Sequence, residues 1–208
     1  MTTGSRITVL VSGGGSNLQA LIDARARNEL GDEIVKVISS RPEVYALERA
    51  AAVGIPTAVV TRKGKTPKEF DAALLHELAQ AQTDLVVMAG FLSVVGSSFL
   101  ERYVGRIVNI HPSLLPAFGG PGMYGLHVHA AALERGVKLT GATAHLVNHV
   151  VDGGEILLQK AVEVLPGDTP ETLQRRVMEQ AEWVILPQAV AELAQKWRGI
   201  SEGGEPNE

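Results

Sequence analysis

Cysteine is missing from the 208 residues, which excludes disulfides, thiolate metal sites and a cysteine nucleophile and agrees with a reducing compartment. Long apolar runs are missing too, since no stretch approaches the ~18 residues of a membrane-spanning helix. The opening Met1-Thr2-Thr3-Gly4-Ser5-Arg6 has no charged-then-apolar leader with a cleavage site, so a cytoplasmic protein with no membrane partner is expected. A surplus of positive charge is also absent. The formal charge of −4 argues against non-specific nucleic-acid binding, which relies on clustered Lys and Arg. No internal repeat or linker divides the chain, and its 208 residues far exceed the ~70–80 below which a single core needs staples. With 45% apolar and 20% charged residues, one globular domain is expected over residues 1–200, followed by a frayed acidic tail at 201–208.

The elements alternate. Ile7-Thr8-Val9-Leu10-Val11 reads as a buried strand, and Ser12-Gly13-Gly14-Gly15-Ser16-Asn17 leads from it into a helix carrying Leu18, Leu21 and Ile22. Ile34 to Ile38 is a second strand, and Pro42 is placed to start a helix running to about Val53, closed by Gly54. Ile55 to Val60 makes a third strand, Thr61 to Thr66 a basic loop, and Pro67 opens a helix with Phe70, Leu74, Leu75 and Leu78 at helical spacing. Asp84 to Gly90 is a fourth strand and Arg106-Ile107-Val108 a fifth. The four glycines of Ala117 to Gly125 predict a mobile flap, followed by a helix from Leu126 to Arg135. Strands from about Leu139 to Val147 and Glu155 to Val164 extend the sheet. Thr169 caps a helix with Pro170 at its first position, and the last helical stretch is expected to break near Pro187. This order predicts a single-domain α/β fold of Rossmann-like, three-layer type: a mostly parallel central sheet, helices on both faces and a mixed C-terminal part. Ligands on such sheets sit beyond the carboxyl ends of the strands.

Polar residues gather at those ends. Asn109 and His111 leave the fifth strand two residues apart, hence on one face, before Pro112 and Pro116 stop further pairing. The nearest candidate carboxylate is Asp152, in a tight turn between Val150-Val151 and Gly153-Gly154, so Asn109, His111 and Asp152 are expected to form one catalytic cluster. The loop Gly13 to Asn17 can cradle a phosphate through backbone N–H groups at a helix N-terminus, or can be a plain turn with Ser16 or Asn17 as cap. It is not a dinucleotide fingerprint, because Leu18 stands at the third glycine position. Gly64-Lys65-Thr66 imitates the end of a P-loop, but Val59 occupies the leading glycine position and Pro67 begins the helix. Among the histidines, His76 and His149 read as surface residues and His145 as an internal, hydrogen-bonded one. The pair His127 and His129 is read as support for the site rather than as metal ligands, since H-x-H needs third and fourth ligands. No metal is expected.

Four motifs in this order resemble a known family: Ser12-Gly-Gly-Gly-Ser-Asn-Leu18, Ala89-Gly-Phe91, Asn109-Ile-His-Pro-Ser-Leu-Leu-Pro116 and Asp152-Gly-Gly154. The third and fourth are shared by the formyltetrahydrofolate-using transferases and hydrolases, and the first selects the phosphoribosylglycinamide formyltransferases. The resemblance runs from about Arg6 to the final helix. It implies that Asn109, His111 and Asp152 are catalytic, with possible support from His127 and His145. It implies that Gly14, Gly15, Ser16 and Asn17 hold the substrate phosphate and that Glu182 meets the ribose hydroxyls. It implies a pterin pocket of Phe91, Leu92, Ser93, Val94, Val95, Asn109, Val147 and Asn148. Ser93 stands where many members carry an arginine and Pro67 where a basic residue is expected. Lys65 or Lys68 is therefore expected to meet the folate's glutamate tail. The implied reaction is formyl transfer from the co-substrate 10-formyltetrahydrofolate to glycinamide ribonucleotide in purine biosynthesis, by a monomer or homodimer. The alternatives are a formyltetrahydrofolate deformylase, expected to carry an added N-terminal domain, a methionyl-tRNA formyltransferase, expected to carry a C-terminal RNA-binding domain, and a non-catalytic folate-binding module.

Overall fold

The computed structural model describes residues 4–201; the expected acidic tail lies, from residue 202 on, outside the described residues. Seven strands form one sheet in the order β3-β2-β1-β4-β5-β6-β7. They are β1 Arg6–Val11, β2 Glu33–Ser39, β3 Thr57–Val59, β4 Leu85–Met88, β5 Ile107–His111, β6 Leu139–Leu146 and β7 Ile156–Glu163. The first five run parallel, while β6 and β7 are antiparallel, which is the mixed C-terminal part that the sequence predicts. Period-two alternation splits the core between two layers. Ile7, Val9 and Val11 of β1 face helices α1 Ser16–Ala26, α2 Tyr45–Ala52, α6 Pro170–Val177 and α7 Trp183–Ser201. Leu10 faces the opposite way, onto Phe70, Leu74 and Leu78 of α3 Pro67–Gln80 and Phe99 and Leu100 of α4 Ser97–Arg102. Helix α5, Leu126–Arg135, has the predicted bounds. No helix among the described residues is long and apolar enough to cross a membrane.

Three local expectations are corrected, and one helix is added. Helix α2 starts at Tyr45 rather than at Pro42, because Glu43 has φ 54, a left-handed conformation that interrupts a right-handed start. Strand β3 has three residues rather than six, since Pro56 has no N–H to pair and the amide of Ile55 bonds the Ala50 carbonyl as part of the α2 terminus. The final helix is not broken at Pro187. It continues through that residue, and the irregularity is a π-helical turn at Met178–Glu182, where the wider coil takes up one turn upstream the distortion that the ring demands. Helix α4 is an addition to the sequence reading.

Helix α4 owes its place to a carboxylate on another helix. Asp71, 2% exposed on α3, accepts from the Gly96 amide (2.8 Å), the Ser98 hydroxyl (2.8 Å) and the Phe99 amide (3.4 Å), capping α4 from outside its own sequence. A Cβ on Gly96 would lie 2.5 Å from the Asp71 carboxylate, so only glycine fits there. This cap fixes the end of the segment Phe91 to Val95 that lines the cleft described below. Replacing Asp71 by Ala is expected to lower unfolding free energy by ~2–3 kcal/mol in urea denaturation, as buried amides lose a charged acceptor; an unchanged midpoint would show that the cap is dispensable.

Candidate active site

The strand order reverses between β1 and β4, and a cleft of about 740 Å³ opens there, beyond the carboxyl ends of β1, β4 and β5. A larger groove of about 1080 Å³ lies at the amino ends of β1, β2 and β4, beside Ser5, Asp32, Asp84 and Trp197. It gathers none of the predicted site residues.

At the end of β5, Asn109 and His111 do project to one side, and Asp152 comes to meet them. His111 Nδ1 is 3.5 Å from Asp152 Oδ2, and His145 Nε2 is 3.8 Å from Asp152 Oδ1. Asp152 itself has φ 54. Its turn requires the following glycines, because a Cβ on Gly154 would lie 1.7 Å from the Leu146 carbonyl oxygen and one on Gly153 2.6 Å from Val150 Cγ1. Asn148 shapes the same loop, its Oδ1 accepting from the Val150 amide (2.8 Å) and its Nδ2 donating to the Gly153 carbonyl (3.3 Å).

Hydrogen bonds fix the state of the histidines. His145 Nδ1 lies 2.9 Å from the Leu146 carbonyl, an acceptor only, so Nδ1 carries the proton and Nε2 accepts from Asn109 Nδ2 at 3.1 Å. Burial lowers the His145 pKa, which agrees with that neutral ring. Asn109 is thereby oriented, with its second amide N–H left over. His111 Nε2 donates to the Phe118 carbonyl (2.8 Å), and Asp152 Oδ2 accepts from the Gly120 amide (2.8 Å). Both contacts come from the glycine-rich segment Ala117 to Gly125, which forms no helix or strand and rests on the polar cluster.

The glycine loop faces the cluster across the cleft. Gly15 is the N-cap of α1 at φ 72, and no side chain caps the helix, so neither Ser16 nor Asn17 takes the plain-turn role. Asn17 turns away instead and donates to Glu182 Oε2 (2.6 Å), while its own Oδ1 is buried without a partner. Glu182 is 6% exposed, in the π-helical turn, and burial pushes its pKa up to about 7. Ser12 ties the two sides together: its hydroxyl is 2.6 Å from that of Ser40 and accepts from the Leu92 amide (2.9 Å). The apolar side of the cleft is Phe91, Leu92, Val94, Val95 and Val147, with Ser93 and Asn148 at the edge. Phe91 stacks on Phe70 at 6.5 Å between centroids.

The chain as a whole matches a known group in sequence and fold. The formyl transferase family profile matches residues 5–190. Phosphoribosylglycinamide formyltransferase of Escherichia coli (strain K12) is 39% identical over 186 residues, 89% of this chain and 85% of that relative. The chain belongs to the phosphoribosylglycinamide formyltransferase family. A crystal structure of glycinamide ribonucleotide transformylase 1 from Symbiobacterium toebii is similar with TM-score 0.88 and 41% identity, covering 94% of this chain and 90% of that one. The trifunctional purine biosynthetic protein adenosine-3 of Drosophila melanogaster is 44% identical over 191 residues; the match takes in 90% of this chain but only 14% of that protein's length.

Among the expected side chains of this formyltransferase-family chain, His127, Lys65 and Lys68 stand outside the cleft lining. His127 is exposed and packs its ring against Tyr124 at 5.0 Å, outside the cleft lining, whereas His129 of the same pair lines the cleft, fully buried, with neither ring nitrogen bonded. Burial and the neighbouring His111 bring the His129 pKa down to about 4. Lys68 is exposed on α3 and Lys65 donates to the Thr61 carbonyl, neither lining the cleft. Arg41 lines the cleft, and Arg62 reaches the apolar side, donating to the Val94 carbonyl at 2.6 Å and lying 5.6 Å over the Phe70 ring. Thr66 of the P-loop look-alike caps α3 in a capping box with Glu69. Gln174 and Met178 also line the cleft, on the inward face of the final helices, and no motif marks them. Among the described residues no group of three or more His, Cys, Asp or Glu is placed to hold a metal ion.

The raised pKa of Glu182 sets a stability trend. The folded protein keeps a proton on Glu182 that the unfolded chain has released between pH 4.5 and about 7, so stability falls as pH rises through that window. Glu182→Gln, which retains an acceptor for Asn17, is expected to remove this component. Urea unfolding of the two proteins across the window should give curves that converge at the acid end, and curves that run parallel would contradict the assignment.

Proposed function

We propose that this chain transfers the formyl group of 10-formyltetrahydrofolate to the amine of glycinamide ribonucleotide, a step of purine biosynthesis. The observation that carries the reading is one cleft lined on one side by Gly13 and Asn17, which flank the uncapped start of α1, and on the other by Asn109, His111 and Asp152. The phosphate of the ribonucleotide binds the amides of Gly14, Gly15 and Ser16 at the start of α1, where backbone donors and the helix dipole favour an anion. Glu182 and Asn17 receive the ribose hydroxyls. The flat pterin enters the apolar slot of Phe91, Leu92, Val94, Val95 and Val147, with Ser93, Asn109 and Asn148 as polar edges.

The amine then attacks the formyl carbon. A carbon–nitrogen bond forms to the glycinamide nitrogen, negative charge develops on the formyl oxygen, and the bond to N10 of the folate breaks as that charge returns. Asn109 offers its remaining amide N–H to the oxygen. The imidazole of His111 supplies a second donor once Phe118 releases Nε2, so movement of the Ala117 to Gly125 segment accompanies binding. Asp152, 3.5 Å from His111 Nδ1, holds the imidazole in place and passes the proton from the attacking amine to the leaving nitrogen. His145 holds the Asn109 amide in orientation. Residues 1–200 make up the transferase domain, and the protein works in the cytoplasm as a monomer or homodimer.

The test is formyl transfer from 10-formyltetrahydrofolate to glycinamide ribonucleotide, with water-only and tRNA acceptors as controls. Asn109→Ala and Asp152→Asn are each expected to keep the fold and to lose at least ~10² in turnover, the usual consequence of removing one oxyanion donor or proton carrier. Near-normal turnover in either variant, or formate release with water exceeding transfer, would refute the reading.

A further inference from the structure

Helix α2 lies behind the glycine loop and holds it by two consecutive carbonyls. The Ala46 amide donates to the Gly13 carbonyl at 3.2 Å, and Arg49 Nε donates to the Gly14 carbonyl at 2.9 Å. In a trans peptide the C=O of one residue and the N–H of the next point in opposite directions. Holding the Gly13 and Gly14 carbonyls toward α2 therefore turns the amides of Gly14 and Gly15 away from it. A Cβ on Gly13 or Gly14 would meet nothing within 4 Å, so the far side of the loop is open. Behind Gly15 there is no such room, because a Cβ there would lie 2.6 Å from that of Ala46.

Arg49 is itself held. Its Nη1 donates to Gln19 Oε1 at 2.9 Å on α1, and its guanidinium lies 4.7 Å over the Tyr45 ring. The fork thus joins α1, α2 and the loop, in a planar geometry that a lysine ammonium cannot reproduce. None of Ser12 to Asn17 is basic, and the buried Asn17 Oδ1 without a partner marks the same loop as unfinished without a ligand.

We infer that Arg49 is a positioning residue for the substrate's phosphate: by bonding the Gly14 carbonyl it aims the Gly15 amide, and it does so without touching the reacting atoms. This rests on the proposed phosphate site. A phosphate contact made alike in the ground state and the transition state is uniform binding, and its loss appears in KM rather than kcat.

The experiment compares wild type, Arg49→Ala and Arg49→Lys with two acceptors, glycinamide ribonucleotide and the same molecule lacking its phosphate, with thermal unfolding as a check on folding. Both variants are expected to raise KM for the ribonucleotide about tenfold, the order of one charge-assisted hydrogen bond. KM for the formyl donor and kcat/KM for the dephosphorylated acceptor should stay within twofold of wild type. Equal losses with both acceptors would mean general distortion, an unchanged KM would mean that the loop holds itself, and full activity in Arg49→Lys would mean that charge alone suffices; each overturns the inference. If Arg49→Ala does not fold, the same comparison in Arg49→Lys decides. Failure of the wild type to formylate either acceptor would instead refute the proposed function.

Discussion

The return of a carboxylate over the end of β5 depends on how closely the β6 to β7 connection can fold against its own strand. Any Cβ at Gly154 would collide with the Leu146 carbonyl, and Asp152 sits just before it in a left-handed conformation that an aspartate tolerates better than most side chains. Without that compression the carboxylate would have no reason to stand 3.5 Å from His111, 41 positions earlier in the sequence. The antiparallel half of the sheet is therefore part of the site. It supplies Asp152 from its turn and His145 from β6, while the parallel half supplies Asn109 and His111.

A second constraint joins the two ends of the cleft. The switch in strand order sets the loop after β1 beside the segment after β4, and the Ser12 hydroxyl bonds both Ser40 and the Leu92 amide. The glycine-loop side and the apolar side are thus linked by one buried oxygen rather than by loose loops. Asp71 holds the other end of the apolar segment by capping α4. The Ala117 to Gly125 segment forms no helix or strand and lines the same cleft. It touches the polar cluster through two backbone groups, the Phe118 carbonyl and the Gly120 amide, and each contact is an ordinary hydrogen bond that a ligand can replace.

Much of this was legible in the sequence, where the signal is local. Apolar strands, Pro67 at the start of α3, the Thr169 cap and the helix from Leu126 to Arg135 all state short-range preferences that the fold keeps. So do Asn109 and His111, whose two-residue spacing puts them on one face of a strand. Legibility fails where the partner is distant. Helix α4 has six residues and a cap borrowed from Asp71, 25 or more positions away, so nothing nearby announces it. Arg62 reaches the Val94 carbonyl from a loop whose composition reads as solvated, and Lys68, in the first turn of α3, projects to solvent instead. His127 and His129 were separable in principle: two residues apart on a helix they diverge by about 200°, and buried Ala132 lies three residues on from His129. The π-helical turn that brings Glu182 inward has no motif, although Pro187 just beyond it signals that the helix must depart from regularity.

The account's central claim is that two reactants are gripped at opposite ends of one cleft and meet at the end of β5. The most direct measurement is a crystal structure with glycinamide ribonucleotide and a formyl-donor analogue that cannot transfer. The phosphate should lie within ~3 Å of the Gly14, Gly15 and Ser16 amides, and the oxygen standing for the formyl group should lie at a similar distance from Asn109 Nδ2. A phosphate bound elsewhere on the surface, or an analogue whose formyl position is remote from Asn109, His111 and Asp152, would contradict it.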